Sequence, residues 1–590
     1  MKKFIFALPL LSLFAMGCSD DSNSPDKEEY SERNVKFLTV SIMSPAALGS
    51  RAQNLGDYEN GSEAENYVNK VRFYFFDKSG NPAPARKDAN TERYYSYIDW
   101  QPESQGSTSS GTENIEKVIT YNMTINHPNN QDPPAFVVAI INPNSTVQSV
   151  TAPKISDLNG LNDGSCVADY LTNLTSKGSF VMSNSVYVGS DGNMVNASEI
   201  TDFYATPEEA AANPVKIYVE RVVARVDFSV SIKKATINGI QQDDIYETGE
   251  SFNDQPIYVK LLGWQITSAP VKSRLMKYIN AQWEKENLFG NQLLWNTTEY
   301  RRCFWAMNPT LISPTLNTNG DYISFNYKDL IKAEMPGSRY TQENANPMNA
   351  ENDITSPATP TQIIIAGQLI DAKGNPATIA EYGRKKYPID GLLDIFANSL
   401  NLYSLSQSLD GTKTYKKISP SNLKLVTQSE FVQQVGTPDH FVDGSYYVYA
   451  ILTDDANKLD WYQRMGSEPN ENGNYNYTPI QTTNINKYIY DTLFASNPPM
   501  VWEKGHCYYF FNIRHLGADG NPAYYGIVRN HIYKANLTKI SGFGTPVYKD
   551  EEDIIKPEEP DFQQGMINAE IDILSWRIVR ADYELNWGDF

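Results

Sequence analysis

The sequence predicts an all-β protein with minor helices, built from two β-sandwich domains in tandem. Its apolar runs are short, rich in β-branched and aromatic residues, and bounded by Gly, Asn, Asp, Ser or Pro. The 38 Tyr and 24 Phe strengthen that tendency. Strands and helices do not alternate regularly, as a parallel α/β fold would require. At 590 residues, the chain exceeds the size of one hydrophobic core, which predicts two or more domains.

The charge of the chain excludes one class of partner. Lys and Arg number 50 against 70 Asp and Glu, so the formal net charge is −20. A field of that sign repels phosphate backbones and anionic lipid surfaces. We therefore expect no nucleic-acid partner.

The N-terminus reads as an export signal. Met-Lys-Lys precedes an apolar stretch over residues 4–16 that is too short to span a membrane, which predicts a signal peptide over residues 1–17. The sequence Ala-Met-Gly-Cys ending at Cys18 resembles a bacterial lipobox without its preferred Leu, so Cys18 is the expected site of diacylation. The alternative is ordinary signal-peptidase cleavage nearby.

A first strand follows a polar tether over residues 19–32. Residues 35–43 are rich in β-branched and apolar side chains and predict a strand buried in a sheet or groove. Its apolar residues are Val35, Phe37, Leu38, Val40 and Ile42. Small and polar residues around Arg51 then interrupt the pattern.

Further strands are expected along both halves of the chain. They cover residues 68–77, 117–125, 135–141, 185–188, 215–232, 257–266, 361–370, 445–452, 507–513, 527–540 and 567–587. Helical periodicity is local, at residues 272–288, 392–409 and 484–494. A break near Lys233 predicts an N-terminal domain over residues 52–235 and a C-terminal domain over residues 236–566.

The last segment, residues 567–590, keeps one phase of alternation across two consecutive stretches. The apolar positions are Ile567, Ala569, Ile571, Ile573, Val579, Ala581, Tyr583, Leu585 and Trp587. Polar residues stand between them, as in a strand with one buried face. The pattern fits either a final strand that closes its own sandwich or a strand donated to the open sheet of another molecule.

The sequence gives little support for an enzyme or a metal-binding protein. Cys166, Cys303 and Cys507 are widely spaced and lack CxxC spacing, so neither a disulfide framework nor a zinc site is expected. His506 and His515 flank Cys507 without a recognisable catalytic signature. No phosphate-binding loop or calcium loop is present. We expect no enzyme activity, no metal and no cofactor.

Four motifs then resemble one family. They are residues 219–226 (Val-Glu-Arg-Val-Val-Ala-Arg-Val), 136–143 (ending Asn-Pro), 525–546 (containing Val-Arg-Asn-His-Ile-Tyr and Gly-Phe-Gly-Thr-Pro) and the tail 576–585. In their order along the chain they resemble the fimbrillins of Bacteroidetes, the major fimbrial subunits of type V pili, and most closely the short-fimbria type.

The resemblance implies two transthyretin-like domains and assembly by exchange of strands. Residues 18–51 would be a lipidated propeptide whose placeholder strand, residues 35–43, fills a groove at the outer membrane. An arginine-specific protease would cut after Arg51, Arg33 being the alternative. The tail of an identical or homologous subunit would then enter the groove, building an extracellular fimbria head to tail that supports adhesion.

A second function stays open at this point. The alternative is a tip or accessory adhesin of the same fimbria, or a surface glycan-binding lipoprotein. Trp264, Trp295 and Trp305 are the aromatic residues that such a protein would stack on sugars. The Arg51 linker and the alternating tail favour a shaft subunit, since an anchor should lack the cut site and a tip need not donate a strand.

Overall fold

The computed structural model describes most of the chain between residues 35 and 581. The described residues are 35–45, 61–88, 90–103, 115–160, 162–163, 180–188, 194–270, 273–277, 323–333, 335, 337–344, 360–407, 411, 413–438, 441, 446–471, 473–480, 485–495, 498–515, 527–551, 565–574 and 579–581. They form mostly strands in several sheets with few helices, so the predicted all-β class is confirmed. Among these residues, no helix is long and apolar enough to cross a bilayer.

The strands are numbered in chain order. They are β1 (Val35–Pro45), β2 (Val71–Phe76), β3 (Arg86–Lys87), β4 (Tyr94–Tyr95), β5 (Tyr97–Trp100), β6 (Ile115–Asn126), β7 (Phe136–Ile141), β8 (Asn162–Asp163), β9 (Met182–Asn184), β10 (Tyr187–Val188), β11 (Met194–Val195), β12 (Ser198–Glu199), β13 (Val215–Arg221), β14 (Val223–Val230), β15 (Lys234–Ile237), β16 (Ile240–Phe252), β17 (Gln255–Thr267), β18 (Ser273–Arg274), β19 (Gly337–Gln342), β20 (Gln362–Ile370), β21 (Ile379–Tyr382), β22 (Lys385–Tyr387), β23 (Tyr403–Gln407), β24 (Lys413–Lys417), β25 (Leu423–Thr427), β26 (Val448–Leu452), β27 (Trp461–Met465), β28 (Asn476–Pro479), β29 (Met500–Trp502), β30 (His506–Asn512), β31 (Ile532–Gly542), β32 (Thr545–Pro546), β33 (Gly565–Leu574) and β34 (Val579–Ala581).

The helices are short. They are α1 (Ser145–Ser149), α2 (Ile155–Gly160), α3 (Pro207–Ala212), α4 (Tyr327–Leu330), α5 (Ile389–Ser399), α6 (Gln428–Val435) and α7 (Ile485–Leu493), with single 3₁₀ turns at Pro420–Asn422, Ala456–Lys458 and Glu503–Gly505.

The first sheet holds the N-terminal strands in the order β5-β2-β7-β9-β13-β1-β6, with β12 beside β7. All of its ladders are antiparallel except that between β1 and β13. All six residues of β2 are buried, because the sheet is covered on both faces there. One hydrophobic core runs through these strands and includes Leu38, Phe73, Ile140 and Ile217.

Two further sheets form a sandwich around a second core. Their orders are β19-β14-β31-β33-β34 and β15-β16-β17-β20-β30-β32. The core takes Phe228 and Leu537 from one sheet and Val259, Trp264 and Ile365 from the other. Apolar faces of both sheets therefore bury each other, as in an aligned β-sandwich.

A third core lies within one connection of that sandwich. Strands β20 and β30 pair directly with each other, and residues 371–505 run between them. This segment contains α5, α6 and α7 and the sheet β24-β23-β27-β28. Its own core includes Phe396, Phe431, Tyr449, Tyr490 and Phe494. We call residues 371–505 the inserted module.

Three secondary-structure predictions are corrected. The strand predicted over residues 215–232 is two strands, β13 and β14, which enter different sheets on either side of Val222. Residues 403–407, predicted helical, form β23 after α5 ends at Ser399. Residues 273–277, also predicted helical, hold the short strand β18, and the rest of that segment lies outside the described residues. The predicted domain limits at residues 52, 235 and 566 remain predictions.

Candidate functional site

Strand β1 lies inside the first sheet, between β6 and β13. Its antiparallel ladder with β6 runs from Val35 opposite Asn126 to Pro45 opposite Ile115. Its parallel ladder with β13 pairs Val40–Met43 with Val215–Tyr218. A strand near the start of the chain therefore joins two others that do not pair with each other.

Both faces of β1 are covered at its centre. Leu38 and Val40 are fully buried in the core of the first sheet. Thr39 and Ser41 point to the opposite face and are buried too, and the Thr39 hydroxyl donates to Asn122 Oδ1 at 2.8 Å. The sequence folds this way because β-branched and apolar residues fill a strand buried on two sides.

The early part of β1 is also tied to a loop. The Phe37 N–H donates to the Tyr204 carbonyl at 3.0 Å, and the Tyr204 N–H returns a bond of 3.1 Å. The helix α3 follows this loop and packs against β1 and β6. It begins where the Thr206 side chain accepts from the Glu209 N–H at 3.2 Å, with Pro207 as the first helical residue.

Without β1, two strand edges would face each other across a gap. Within the described residues β6 has β1 as its only sheet neighbour, and residues 215–217 of β13 pair only with β1. Buried Ile119, Met123 and Ile217 of these walls would lose cover. Unpaired N–H and C=O groups beside apolar side chains form a template for another strand. We call the space between β6 and β13 the groove.

The structure places part of the sequence-predicted site. Val35, Phe37, Leu38, Val40 and Ile42 all lie in β1, with Phe37 half-buried. Their role as a placeholder stays a prediction. Cys18 and Arg51, and the alternative cut at Arg33, lie outside the described residues.

The tail pairs within its own chain as far as it is described. Strand β33, with Ile567, Ala569, Ile571 and Ile573, runs antiparallel to β31. Strand β34, with Val579 and Ala581, pairs with β33 along three positions and lies at the edge of its sheet. Tyr583, Leu585 and Trp587 lie outside the described residues, and the donor role stays a prediction.

Two of the four sequence motifs meet in a buried polar joint that the sequence did not reveal. Fully buried Arg221, at the end of β13, donates to Asn530 Oδ1 at 3.2 Å and also to Asn66. Asn530 is left-handed, with φ of 58°, and its N–H donates to the Val223 carbonyl at 2.8 Å. The joint links the first sheet to the sandwich where the chain crosses between them.

Glu65 completes this joint from residues 61–66, ahead of β2. Its carboxylate accepts from Arg225 at 3.1 Å and from the Tyr340 hydroxyl at 2.7 Å. Burial alone would raise the pKa of Glu65, but Arg225, the Ser62 N–H, Tyr340 and Arg221 together hold that pKa below its usual value. The carboxylate therefore stays charged and fixes residues 61–66 to the body.

A second buried pair lies beside it. Lys277 and Glu220 are both almost fully buried, with their charged atoms 3.3 Å apart. Burial raises the pKa of Glu220 despite the nearby Lys277 and Arg529. Arg529 also contacts Glu343 at 2.8 Å and donates to the carbonyls of Arg274 and Leu275. These motif residues are structural, since buried ions need such partners.

The third motif closes a turn in the same way. Asn142, after β7, is left-handed with φ of 51°. Its side chain accepts from the Asn69 N–H at 2.8 Å and donates to the carbonyls of Tyr67 and Phe180, each at 2.8 Å. One amide thus holds three chain segments together.

The catalytic candidates have structural surroundings. Cys507 is fully buried, and burial raises the pKa of its thiol. The His506 Nδ1 lies 2.7 Å from Asp550 while its ring stacks on Tyr327. Buried His515 lies 2.9 Å from the Tyr533 hydroxyl. A buried neutral thiol is a poor nucleophile. Within the described residues, no group of three or more possible ligands for a metal ion is found.

The aromatic residues considered for sugar binding are also located. Trp264 is fully buried in the sandwich core, 5.0 Å from Phe228 between ring centres. It cannot stack on a sugar from solvent, so that candidate was wrong. Trp295 and Trp305 lie outside the described residues.

Comparison with known proteins identifies the C-terminal region. The family model described as "Major fimbrial subunit protein type IV, Fimbrillin, C-terminal" matches residues 500–582. This region contains β29 to β34 and the Arg-Asn-His motif. The predicted resemblance to fimbrillins is therefore confirmed. The match is to a family of structural subunits, which supports the prediction of a non-enzymatic protein. No curated protein matches the sequence.

Similar solved structures include three fimbrial or adhesion proteins. A putative cell adhesion protein from Parabacteroides distasonis is 12% identical, with a TM-score of 0.34, over 90% of this chain and 96% of that chain. A fimbrilin from Porphyromonas gingivalis is 14% identical, with a TM-score of 0.32, over 90% and 96%. The tip fimbrial protein of Porphyromonas gingivalis is 12% identical, with a TM-score of 0.26, over 91% and 99%.

Proposed function

We propose that this chain, a fimbrillin in its C-terminal region, is a structural subunit of a cell-surface fimbria that polymerises when a strand of one copy replaces β1 of the next. The supporting observation is the position of β1 between β6 and β13. It lies ahead of the remaining strands and is joined to them through residues 46–60, which contain Arg51. One cut in that connection separates β1 from the body.

The position of the cut follows from the bounds of β1. Arg33 precedes its first residue, Val35, so cleavage there would leave the groove filled. Arg51 follows its last residue, Pro45, so cleavage there would release the strand. An arginine-specific protease acting at Arg51 is therefore the trigger in this scheme. Until then, β1 covers apolar walls that would otherwise aggregate.

The tail has the length and pattern of a replacement strand. At about 3.3 Å per residue, residues 579–587 span about 30 Å and residues 35–45 span about 36 Å. The burial of Leu38 and Val40 supports a groove that takes apolar side chains at every second position. The tail supplies them at Val579, Ala581, Tyr583, Leu585 and Trp587, and β33 continues the same phase.

The edge position of β34 makes donation feasible. Among the described residues, its pairing in this copy covers three positions, all with β33. In the groove of another copy, the tail would form hydrogen bonds with both β6 and β13, so it would gain a second ladder. Burying the larger side chains would add about 1.5–3 kcal/mol each. Exchange therefore favours the polymer over the separate subunits.

Export and lipidation precede assembly in this scheme. The signal peptide would direct the chain out of the cytoplasm, and a lipid on Cys18 would hold the precursor at the outer membrane. Cleavage after Arg51 removes lipid and β1 together, so the mature subunit joins an extracellular fimbria. Its partners are identical or homologous subunits, joined head to tail.

The test is cleavage of the purified precursor by an arginine-specific protease, followed by SDS gels without boiling and by electron microscopy. The intact chain should form ladders and filaments, whereas Arg51→Lys and a chain ending at Leu574 should stay monomeric. Leu585→Arg should block assembly, and its matched control Glu584→Arg, on the polar phase, should not. Equal monomers from all chains would return us to a surface-binding lipoprotein whose last strand closes its own sheet.

A further inference from the structure

The inserted module carries a sheet with tyrosines on one face. In the order β24-β23-β27-β28, Tyr403 pairs with Tyr462, and Arg464 pairs with Tyr477. Paired residues share a face of a sheet, and neighbours along a strand alternate. Trp461 is buried against the module core, so its neighbour Tyr462 points away from that core. Tyr415 lies on the same face, opposite Leu405.

The tyrosine rings converge over this face. Tyr415 and Tyr477 stack with ring centres 4.0 Å apart and planes 9° apart. Tyr403 meets Tyr477 at 5.0 Å, and Tyr462 meets Tyr415 at 5.2 Å, both edge to face. All four side chains are half-buried. Together with Tyr475 and Arg464 they form what we call the tyrosine face.

Contacts between the tyrosine rings stabilise the sheet. Exposed residues at the border of the tyrosine face have no such packing role. Tyr475 is 38% exposed and lies under the Arg464 guanidinium, 4.6 Å from its ring centre. Leu459, 43% exposed, lies two residues before β27, whereas Met465, 54% exposed, pairs with Asn476 and points to the other face of the sheet. Tyr475 is therefore an exposed aromatic residue at the border of the tyrosine face.

The charge on these strands is opposite to that of the whole chain. They contain Lys413, Lys416, Lys417 and Arg464 and no Asp or Glu, although the chain carries a net charge of −20. Register places three of these cations on the tyrosine face and Lys416 on the other. The nearest acids in sequence lie beyond the strand ends: Asp410, between β23 and β24 and outside the described residues, and the exposed Asp460, Glu468 and Glu471. An anionic ligand fits this balance.

The size of the sheet selects between ligand classes. Four strands about 4.8 Å apart and about five residues long cover about 14 Å by 17 Å, or about 240 Å². A stable protein interface needs about 800 Å² per partner. The face therefore suits a ligand of a few rings. A pyranose offers an apolar C–H face to an aromatic ring and hydroxyls to polar neighbours such as the tyrosine hydroxyl.

We propose that the tyrosine face binds an anionic saccharide, with sugar rings packed on the tyrosines and its carboxylates or sulfates held by Arg464 at one end of the sheet and by Lys413 at the other. This activity is separate from strand exchange and does not depend on cleavage. It would give every subunit of a fimbria its own adhesive contact.

The test is isothermal titration of the uncleaved full chain with three tetrasaccharides: heparin-derived, hyaluronan-derived and maltotetraose. At least one anionic probe should bind, and maltotetraose at least tenfold more weakly. Binding of heparin alone would assign a sulfate, and binding of hyaluronan a carboxylate. Arg464→Gln should weaken binding about tenfold through loss of a charged hydrogen bond. Tyr475→Ala should also weaken it, because the exposed ring is lost.

Lys416→Gln is the matched control, since it removes a cation from the opposite face of the same sheet and should change affinity less than twofold. Thermal unfolding of each variant shows that the module stays folded. The proposal is overturned if no probe binds at millimolar concentration, if maltotetraose binds as tightly as the anionic probes, or if Lys416→Gln and Arg464→Gln lose equal affinity. Tighter binding of a polyglutamate peptide would also overturn it, in favour of an acidic protein partner.

Discussion

The Arg221 guanidinium donates to Oδ1 of Asn530 at 3.2 Å across 309 residues of sequence. Arg221 ends β13 of the first sheet, and Asn530 precedes β31 of the sandwich. Both belong to motifs that resemble those of fimbrillins. These residues therefore form a joint between the first sheet and the sandwich rather than a reactive site.

Asn530 should contribute to stability through its backbone and its amide separately. Its left-handed φ of 58° is costly for Ala and free for Gly. We expect Asn530→Ala to lose about 2–4 kcal/mol and Asn530→Gly about 1–2 kcal/mol of unfolding free energy. Urea unfolding followed by tryptophan fluorescence measures both. Equal losses would mean that the backbone conformation carries no cost.

Shortening a core residue of β1 should loosen that strand without unfolding the body. Leu38 is fully buried, so Leu38→Ala should cost about 2–4 kcal/mol. Because β1 lies near the start of the chain, the loss should appear as local opening, with faster hydrogen exchange of β6 amides. Lys36→Ala, at a half-buried position on the same strand, should leave that exchange nearly unchanged.

The Leu38→Ala variant also tests whether β1 is absent from the mature subunit. Once residues 35–45 are removed, Leu38→Ala protein and the unaltered protein should be identical and assemble at equal rates. A slower mature Leu38→Ala protein would contradict the proposed removal of β1.

Acid should weaken the joint at Glu65. The pKa of this carboxylate is lowered in the folded chain from a usual value of 4.5, chiefly by Arg225 against the opposing effect of burial. Its stabilisation is thus complete above about pH 4.5 and is lost as the pH falls through the folded pKa. Glu65→Gln should therefore be less stable at neutral pH and lose less stability on acidification. Exposed Glu468→Gln should follow the unaltered protein in urea unfolding at pH 7 and pH 4.

The Cys507 thiol should be unreactive in the folded state. It is fully buried with a raised pKa, and thiolate is the reacting form. In a variant with Cys18→Ser, Cys166→Ser and Cys303→Ser, a thiol-reactive chromogenic disulfide at pH 8 should modify Cys507 only after urea is added. Rapid labelling of the folded protein would show that this strand opens.

Most strands were predictable because their signal is local. Residues 135–141 are continuously apolar, and residues 361–370 and 507–513 are mostly apolar. The structure has β7, β20 and β30 there within one residue at each end. Such runs belong to strands buried on both faces. The helix predicted over residues 484–494 is likewise present as α7, because its apolar residues repeat at helical spacing.

What the sequence could not show depends on contacts between distant residues. Val222 separates β13 from β14 inside one apolar run, and no local pattern marks the change of sheet. The joint of Glu65, Arg221 and Asn530 gathers residues from three parts of the chain. Its motifs were visible as a resemblance, but their partners were not. The tyrosine face is similar, since its four strands are separated by turns and loops of different length.

The groove was predicted only as a buried strand. The pattern of residues 35–43 indicated burial, but neither β6 nor β13 could be named as its wall. For the tail, alternation fits an edge strand and a donated strand equally well, because both bury one face.

The long ladder between β1 and β6 has a mechanical consequence for any strand that takes its place. A partner aligned from position 35 to position 45 is pulled along its own axis when a filament is stretched. Its hydrogen bonds are then loaded in shear and bear the tension together, rather than breaking one after another. Breaking strength would grow with the length of overlap, so a fimbria could withstand fluid flow without a covalent link between its subunits.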